Sequence, residues 1–236
     1  MLSIKNGSLI YDLKKDTKTY ALKNINLTLE EQKFYGILGP SGSGKSSLLY
    51  ALSSLKKLTK GDVSYKKEQL SKLGDEKLAS IRKTDFGFIF QKHFLISYLT
   101  ILENVLVPVN STSKYYKNRA KELLSELGLE HQMNKKPYQL SGGQCQRVAI
   151  ARALINEPNV IFADEITASL DHKSAENAMK VLQKYRNGAT LIVVTHDPSI
   201  LKGADEIIHI WDGEIKDIEM TLQASKHFSE RGQHQS

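Results

Sequence analysis

The sequence predicts an α/β fold: a mixed sheet flanked by helices, an antiparallel β layer at the N-terminus, and an inserted α-helical subdomain. Three observations carry this. A glycine-rich turn, Gly39–Ser46, stands between a short apolar strand and a helix. Two further apolar runs, Asn159–Glu165 and Ala189–Asp197, end in polar groups, as strands do when their C-terminal ends face a ligand crevice. From about residue 98 to 157 the pattern turns helical and interrupts the alternation of strand and helix.

With 236 residues the chain suits one large domain, or a domain with a subdomain. Its 40% hydrophobic and 25% charged composition is that of a globular protein. No apolar run approaches the roughly 20 residues of a membrane-spanning helix. Met1–Gly7 lacks the apolar core of a signal peptide, so the expected location is the cytoplasm. The single cysteine, Cys145, excludes an internal disulfide and fits a reducing compartment. A formal net charge of +7 would suit nucleic acid or an anionic membrane surface. The lysines, however, are scattered in ones and twos (Lys14-Lys15, Lys56-Lys57, Lys66-Lys67, Lys135-Lys136), with no basic run interleaved with aromatics. The charge therefore reads as a solvated surface, and no nucleic-acid partner is expected.

In chain order, residues 2–10 and 20–30 read as two antiparallel strands around the polar turn Lys14–Lys18. Tyr11 ends the first strand. An aromatic there can stack on a nucleotide base; it can equally be an ordinary strand aromatic, and Tyr20 is a rival. Phe34–Leu38 is a short buried strand. Gly39-Pro40-Ser41-Gly42-Ser43-Gly44-Lys45-Ser46 then matches G-x-x-x-x-G-K-[ST] at every position. A loop that wraps a phosphate turns several backbone N–H groups inward, and a Cβ there would block the approach. Lys45 brings a point charge to the β/γ-phosphates, and the Ser46 hydroxyl can ligate Mg²⁺. The helix that follows, Ser47–Leu52, presents its positive end to the anion.

Residues 62–73 read as a hairpin or a strand with a charged excursion, and Asp75–Arg82 as a short helix. Phe86–Gln91 is a buried strand ending in an amide that can reach a metal-bound water or a nucleotide. Leu99–Val107 is apolar and stops near Pro108. Asn110–Ser113 is a polar loop that can cap the next helix, and Arg119–Leu127 shows a helical face closed by Gly128. Leu140-Ser141-Gly142-Gly143-Gln144-Cys145-Gln146-Arg147 is a second Ser/Gly turn opening a helix, with free N–H groups, a hydroxyl and a positive dipole end. Two anion cradles in one chain imply either two ligands or one ligand gripped from both sides by two chains.

Asn159–Glu165 ends in two carboxylates. Successive strand residues face opposite sides, so Asp164 is predicted to orient Mg²⁺ and Glu165 to activate an attacking water. Asp171 is predicted to cap a helix from Lys173 to about Arg186. His196 could donate to a γ-phosphate; a lone strand-end histidine is more often structural, but the C-terminal end of a strand favours a ligand role. Asp212-Gly213 between two apolar runs is a hairpin signal. Residues 223–236 are polar and aperiodic, and are expected to form a flexible tail.

Taken in order, these motifs resemble the nucleotide-binding subunit of an ATP-binding-cassette (ABC) transporter. The resemblance runs from about residue 2 to 218. Leu140–Gln144 reads LSGGQ, the signature that separates this family from other phosphate-loop ATPases. Phe86–Gln91 and Glu103-Asn104-Val105 are similar to subunits of the lipoprotein-release and macrolide-export type. The resemblance implies a P-loop NTPase core of the ABC-ATPase kind over residues 1–222, with the helical subdomain at about 92–157, and ATP and Mg²⁺ as cofactors. It implies Tyr11 on adenine, Gly39–Ser46 and the neighbouring Ser47 around the phosphates, and Lys45 on the transferring group. Ser46, Gln91 and Asp164 would hold Mg²⁺, Glu165 would be the general base, and His196 would touch the γ-phosphate. Asp171 would stand at a dimer interface. Ser141, Gly142, Gly143 and Gln144 would reach the ATP of a second copy, in a head-to-tail pair with two ATPs.

The resemblance further implies a separate membrane permease, docked near the helical subdomain and Gln91 and holding the subunit on the inner face of the membrane. The expected work is export or extraction of an amphipathic substrate such as a peptide, lipoprotein or antibiotic. An alternative within the family is an ATPase driving a membrane complex that controls cell-wall hydrolysis. DNA-repair ATPases share the signature but carry long coiled-coil or DNA-binding insertions, and no sustained heptads occur here. Asn134-Lys135-Lys136-Pro137 lacks the aspartate of a guanine-reading motif, so ATP is expected over GTP. Two departures stand out. Ile166 replaces the usual proline of D-E-P-T, removing a φ lock and predicting a looser following loop. Cys145 replaces a usual glutamine; a helix start can lower a thiol's pKa, while the plain reading is a tolerated small residue. The loop around Asn110–Lys114 is shorter than in that subgroup.

Overall fold

The computed structural model describes residues 1–14, 17–109, 111, 113–167, 170–186 and 188–221, of which 12–14 and 17 are described by their backbone. The elements in chain order are β1 (Leu2–Lys14), β2 (Thr17–Leu29), β3 (Phe34–Leu38), α1 (Lys45–Leu52), β4 (Lys60–Tyr65), β5 (Glu68–Gln69), α2 (Asp75–Thr84) and β6 (Phe86–Ile89). There follow α3 (Ile101–Leu106), α4 (Lys114–Glu126), α5 (Gly142–Leu154), β7 (Val160–Asp164), α6 (His172–Tyr185), β8 (Thr190–Thr195), β9 (Glu206–Trp211) and β10 (Glu214–Met220). They fall into two compact units: Met1–Ser80 with Thr190–Ser236, and Ile81–Ala189. The expected tail, 223–236, lies outside the described residues, as do Lys15 and Asp16 of the first turn and Asn110 and Thr112 of the expected capping loop.

The first unit holds two sheets. One is the antiparallel layer, in the order β2-β1-β4-β5. In the other, β3 pairs in parallel with β8 on one side and β9 on the other, and β10 runs antiparallel to β9, so the sheet is mixed. Parallel strands covered on both faces read as continuous apolar runs, and β8 (TLIVVT) is buried along its whole length. Each fully buried Leu, Ile or Val here is worth about 1.5–3 kcal/mol. Gly36 lets Leu201 lie against β3: a Cβ at position 36 would stand 2.5 Å from Leu201 Cδ1. The start of β3 is fixed by Asp205, whose carboxylate accepts the Phe34 N–H at 2.7 Å.

The second unit pairs β6 with β7 in parallel. Their core is aromatic: Phe86 meets Phe162 edge-on at 5.1 Å and Phe88 stacks on Phe162 at 5.6 Å. Helices α3, α4 and α5 pack on one another through Ile101, Val105, Leu123, Leu124, Val148 and Leu154, all fully buried. The Glu103-Asn104 pair has a structural task. Glu103 completes a capping box with Thr100. The wholly buried Asn104 amide donates to the carbonyls of Ile96, Leu99 and Thr100 and accepts the Ile96 N–H, so none of its main bonding capacity is lost. Helix α5 is finished at its far end by Arg119, which donates to the carbonyls of Leu154 (3.1 Å) and Ile155 (3.2 Å), the favourable place for a cation.

Candidate functional site

In the first unit, Gly39–Ser46 forms a closed turn between β3 and α1. Gly42 and Gly44 have φ of 78° and 104°, a region glycine enters without cost. Three glycines answer three different needs. A Cβ on Gly39 would stand 2.2 Å from the Ile210 carbonyl, one on Gly44 would stand 2.5 Å from the Ala21 carbonyl, and one on Gly42 would meet nothing within 4 Å. The loop is therefore pressed against β9 and β2 on one side and open at its crown, where Pro40, Ser41 and Gly42 are exposed. The Lys45 ammonium is curled beneath, 7% exposed for the residue, donating to the carbonyls of Gly39 and Pro40, each at 2.8 Å. The Ser43 hydroxyl oxygen is buried without a hydrogen-bond partner. A buried lysine that trades loop carbonyls for an anion, an unpaired hydroxyl and an open glycine crown at the start of an eight-residue helix fit a bound phosphate chain.

Strand pairing brings a second predicted residue to this end. Leu38 lies opposite Thr195 in the parallel β3–β8 pair, so the exposed His196 leaves the sheet in the row where Gly39 does. Tyr11 is half-buried on β1 with the Lys56 ammonium over its ring at 5.0 Å, while Tyr20 is 49% exposed on β2. Ser46 and Ser47 lie in the first turn of α1. One support was not legible in the sequence: the β9–β10 turn at Asp212-Gly213 reaches the loop. The Gly213 N–H donates to Ser43 O at 2.9 Å, and Lys23 N–H donates to Gly213 O at 2.7 Å.

The second unit carries the remaining residues. Asp164 is the last residue of β7 and is 3% exposed. Glu165 does not continue the strand. Its φ is +49°, so a left-handed turn, rather than strand alternation, sets the direction of its side chain. Ile166 is 1% exposed: where a proline would fix φ, this chain anchors the turn by burying an aliphatic group. Ala168 and Ser169 of the expected loop lie outside the described residues. Asp171 caps α6 as predicted, accepting the Ser174 N–H at 3.0 Å, and hydrogen bonding from the Ser174 hydroxyl, with that N–H, holds its carboxyl below the usual range.

Gln91 lies just past β6 and is exposed. The chain around it is tied to α5. Arg152 donates to the carbonyls of His93 and Phe94, each at 2.7 Å, and the buried Gln146 pairs with His93 Nδ1 at 2.6 Å and donates to Phe90 O at 3.5 Å. A glutamine inside an apolar helical run was the only sequence signal for this clamp.

At the other end of α5 the second Ser/Gly turn is less open than its letters suggest. Ser141 Oγ accepts the Gln144 N–H at 3.2 Å, and Gln144 Oε1 accepts the Ser141 N–H at 2.9 Å, a complete capping box. The Ser141 hydroxyl keeps its own proton to donate, and a Cβ on Gly142 would meet nothing within 4 Å, so the face of the turn stays approachable. Cys145 is buried, its thiol 3.6 Å from the Pro137 carbonyl, and burial pushes its pKa up, the opposite of activation by a helix start. Among the described residues no group of three or more His, Cys, Asp or Glu could hold a metal ion. Mg²⁺ bound with nucleotide phosphates needs no such cage, only one or two protein oxygens.

Known proteins agree with this geometry. The ABC transporter family model matches residues 22–168. An uncharacterized ABC transporter ATP-binding protein of Methanocaldococcus jannaschii is 48% identical over 222 residues, 92% of this chain and 99% of that one. The macrolide export ATP-binding/permease protein MacB of a Shewanella species is 45% identical over 210 residues, 87% of this chain and 32% of MacB. The dimeric post-hydrolysis structure of the ATP-binding cassette MJ0796, bound to ADP and Pi, superposes with a TM-score of 0.88 at 42% identity, covering 93% of this chain and 98% of that one. The chain belongs to the ABC transporter family and is one of its ATPase cassettes.

Proposed function

We propose that this chain is the ATP-hydrolysing engine of a membrane exporter, working as a head-to-tail pair beneath a separate permease on the inner membrane face. The observation that carries the reading is Lys45, buried under a glycine crown and bonded to carbonyls that phosphate oxygens can replace. In this reading Gly39–Ser46 and Ser47 wrap the phosphates of ATP, Tyr11 stacks on the adenine, and His196 donates to the γ-phosphate. Ser46, Gln91 and Asp164 supply oxygens for Mg²⁺, which when bound offsets phosphate charge. Glu165 takes a proton from the attacking water, worth about 10²–10⁴-fold.

From the second copy, Ser141 donates its hydroxyl proton, the Gly142 and Gly143 amides add the positive end of α5, and Gln144 keeps the turn capped. Asp171 holds the adjoining turn at the pair's interface. No helix among the described residues is long and apolar enough to cross a membrane; in this reading the translocation path belongs to the permease. The name of MacB, which joins macrolide export to a permease, supports an amphipathic exported substrate. The test is Glu165→Gln. It should bind ATP, lose turnover and elute as a dimer with ATP alone. Turnover at the parent rate would remove Glu165 from the base role, and a monomer under saturating ATP would remove the paired cage.

A further inference from the structure

The connection between α1 and β4 carries a cation to the face of Tyr11. Lys56 Nζ lies 5.0 Å from the ring centroid, inside the roughly 6 Å reach of a cation–π contact. Its backbone is held from two sides. The chain reverses at Ser54, where φ is 55°, and the Lys56 N–H then donates to Tyr50 O of α1 at 3.0 Å. Three residues on, Thr59 N–H donates to Ser8 O at 2.8 Å and Thr59 Oγ1 accepts the Ile10 N–H at 3.0 Å. Ser8 and Ile10 belong to β1, the strand of Tyr11. One short connection thus ties the helix that begins at Lys45 to the strand that bears Tyr11, and Lys56 is its side chain laid on that ring.

We propose that Lys56 is a positioning residue for the nucleotide: its ammonium holds one face of Tyr11 and so presents the other face to the adenine. This rests on the reading of Tyr11 as the base platform. A half-buried ring that is already fixed loses less freedom when a base stacks on it. A cation on one face also draws π-density toward itself, which favours an electron-rich purine on the other. Lys56 need not touch the nucleotide.

The experiment is a double-mutant cycle on ATP hydrolysis by the whole chain, with tripolyphosphate as a base-free competitive inhibitor. Lys56→Ala should raise KM for ATP measurably but by no more than about five-fold, the ceiling set by an exposed cation–π contact that the free protein already makes, with kcat unchanged. Lys56→Arg should restore KM, and the inhibition constant of tripolyphosphate should not move. In a Tyr11→Leu background, Lys56→Ala should add nothing. An unchanged KM in Lys56→Ala overturns the proposal. So does an equal loss in the Tyr11→Leu background, or an equal weakening of tripolyphosphate, since either means a general charge effect. Tyr11→Leu leaving KM unaltered would instead sink the base-platform reading itself.

Discussion

The Gly213 amide donates to the Ser43 carbonyl at 2.9 Å, so a β-hairpin turn props the phosphate loop from behind. Gly213 has φ of 77°, and a Cβ on it would stand 2.9 Å from the Ala21 carbonyl. Gly42 has nearly the same backbone, φ 78°, with open space for a Cβ. The two positions separate strain from collision. Gly42→Ala and Gly213→Ala should each lose about 1–2 kcal/mol to the left-handed backbone. Gly213→Ala should lose more in urea melts, because backbone carbonyl and hairpin must shift, and it should also raise KM for ATP as the Ser43 carbonyl loses its donor. Equal melting for the two variants would show that the hairpin yields freely.

Glu165 holds a conformation that glutamate disfavours, and Asn tolerates a positive φ far better. Backbone strain at a reacting group is a known expense of function. Glu165→Asn should gain up to about 1 kcal/mol of stability while turnover falls by about 10²–10⁴-fold. Glu165→Gln should lose the same turnover with no such gain. Chemical denaturation of the pair decides it: if Glu165→Asn is no more stable than Glu165→Gln, the turn is not strained in the free protein.

Ser141 is both a helix cap and a proposed phosphate donor, and the two tasks can be split. Ser141→Ala should cost about 1 kcal/mol, the usual worth of an N-cap. Ser141→Asp should keep the cap, since aspartate accepts the Gln144 N–H as well as serine does, and melting should match the parent. Its carboxylate would repel the γ-phosphate, so ATP-driven dimerisation in a Glu165→Gln background should vanish on size exclusion. A dimer that persists in Ser141→Asp would place Ser141 away from the phosphate.

What was legible in the sequence was local. The strand–loop–helix around Gly39–Ser46 rests on short-range backbone needs that glycine alone meets, and Asp171 announces itself as a cap because the bond it makes is three residues away. The hairpin at Asp212-Gly213 was legible, but its contact with Ser43 was not, since nothing in either stretch encodes the pairing of distant segments. Glu165 departed from strand alternation because the strand ends at Asp164, and periodicity carries no information past a strand's last residue. The free amides expected at Ser141–Gln144 are fewer than the letters suggest, for the converse reason: Gln144, read as part of a signature, also satisfies a capping box, and the local bond takes its own amide while the face at Gly142 stays open. Lys56 and Gln146 act through side chains reaching other elements, which only the folded chain brings within range.

The two units of the family engine must stay folded while nucleotide comes and goes, and Tyr35 shows how one is fastened. The ring is fully buried in β3, and its hydroxyl oxygen accepts the Glu30 N–H at 2.7 Å. Burial pushes its pKa up from 10.0 to about 12, and the nearby Glu206 adds to the rise. Lys33, bonded to Glu30 and Glu206, is raised as well by those partners, against the opposing pull of its own burial. The sign follows from linkage. Between pH 10 and about 12 the unfolded chain releases the phenol proton and the folded chain keeps it, so stability is intact below pH 10 and falls as pH rises through that window. Tyr35→Phe should flatten this alkaline decline. At neutral pH it should cost about 1 kcal/mol, because the Glu30 amide loses its acceptor. Urea melts at pH 7, 10 and 11 read both effects, and a decline as steep in Tyr35→Phe as in the parent would assign the alkaline limit to Lys33 instead.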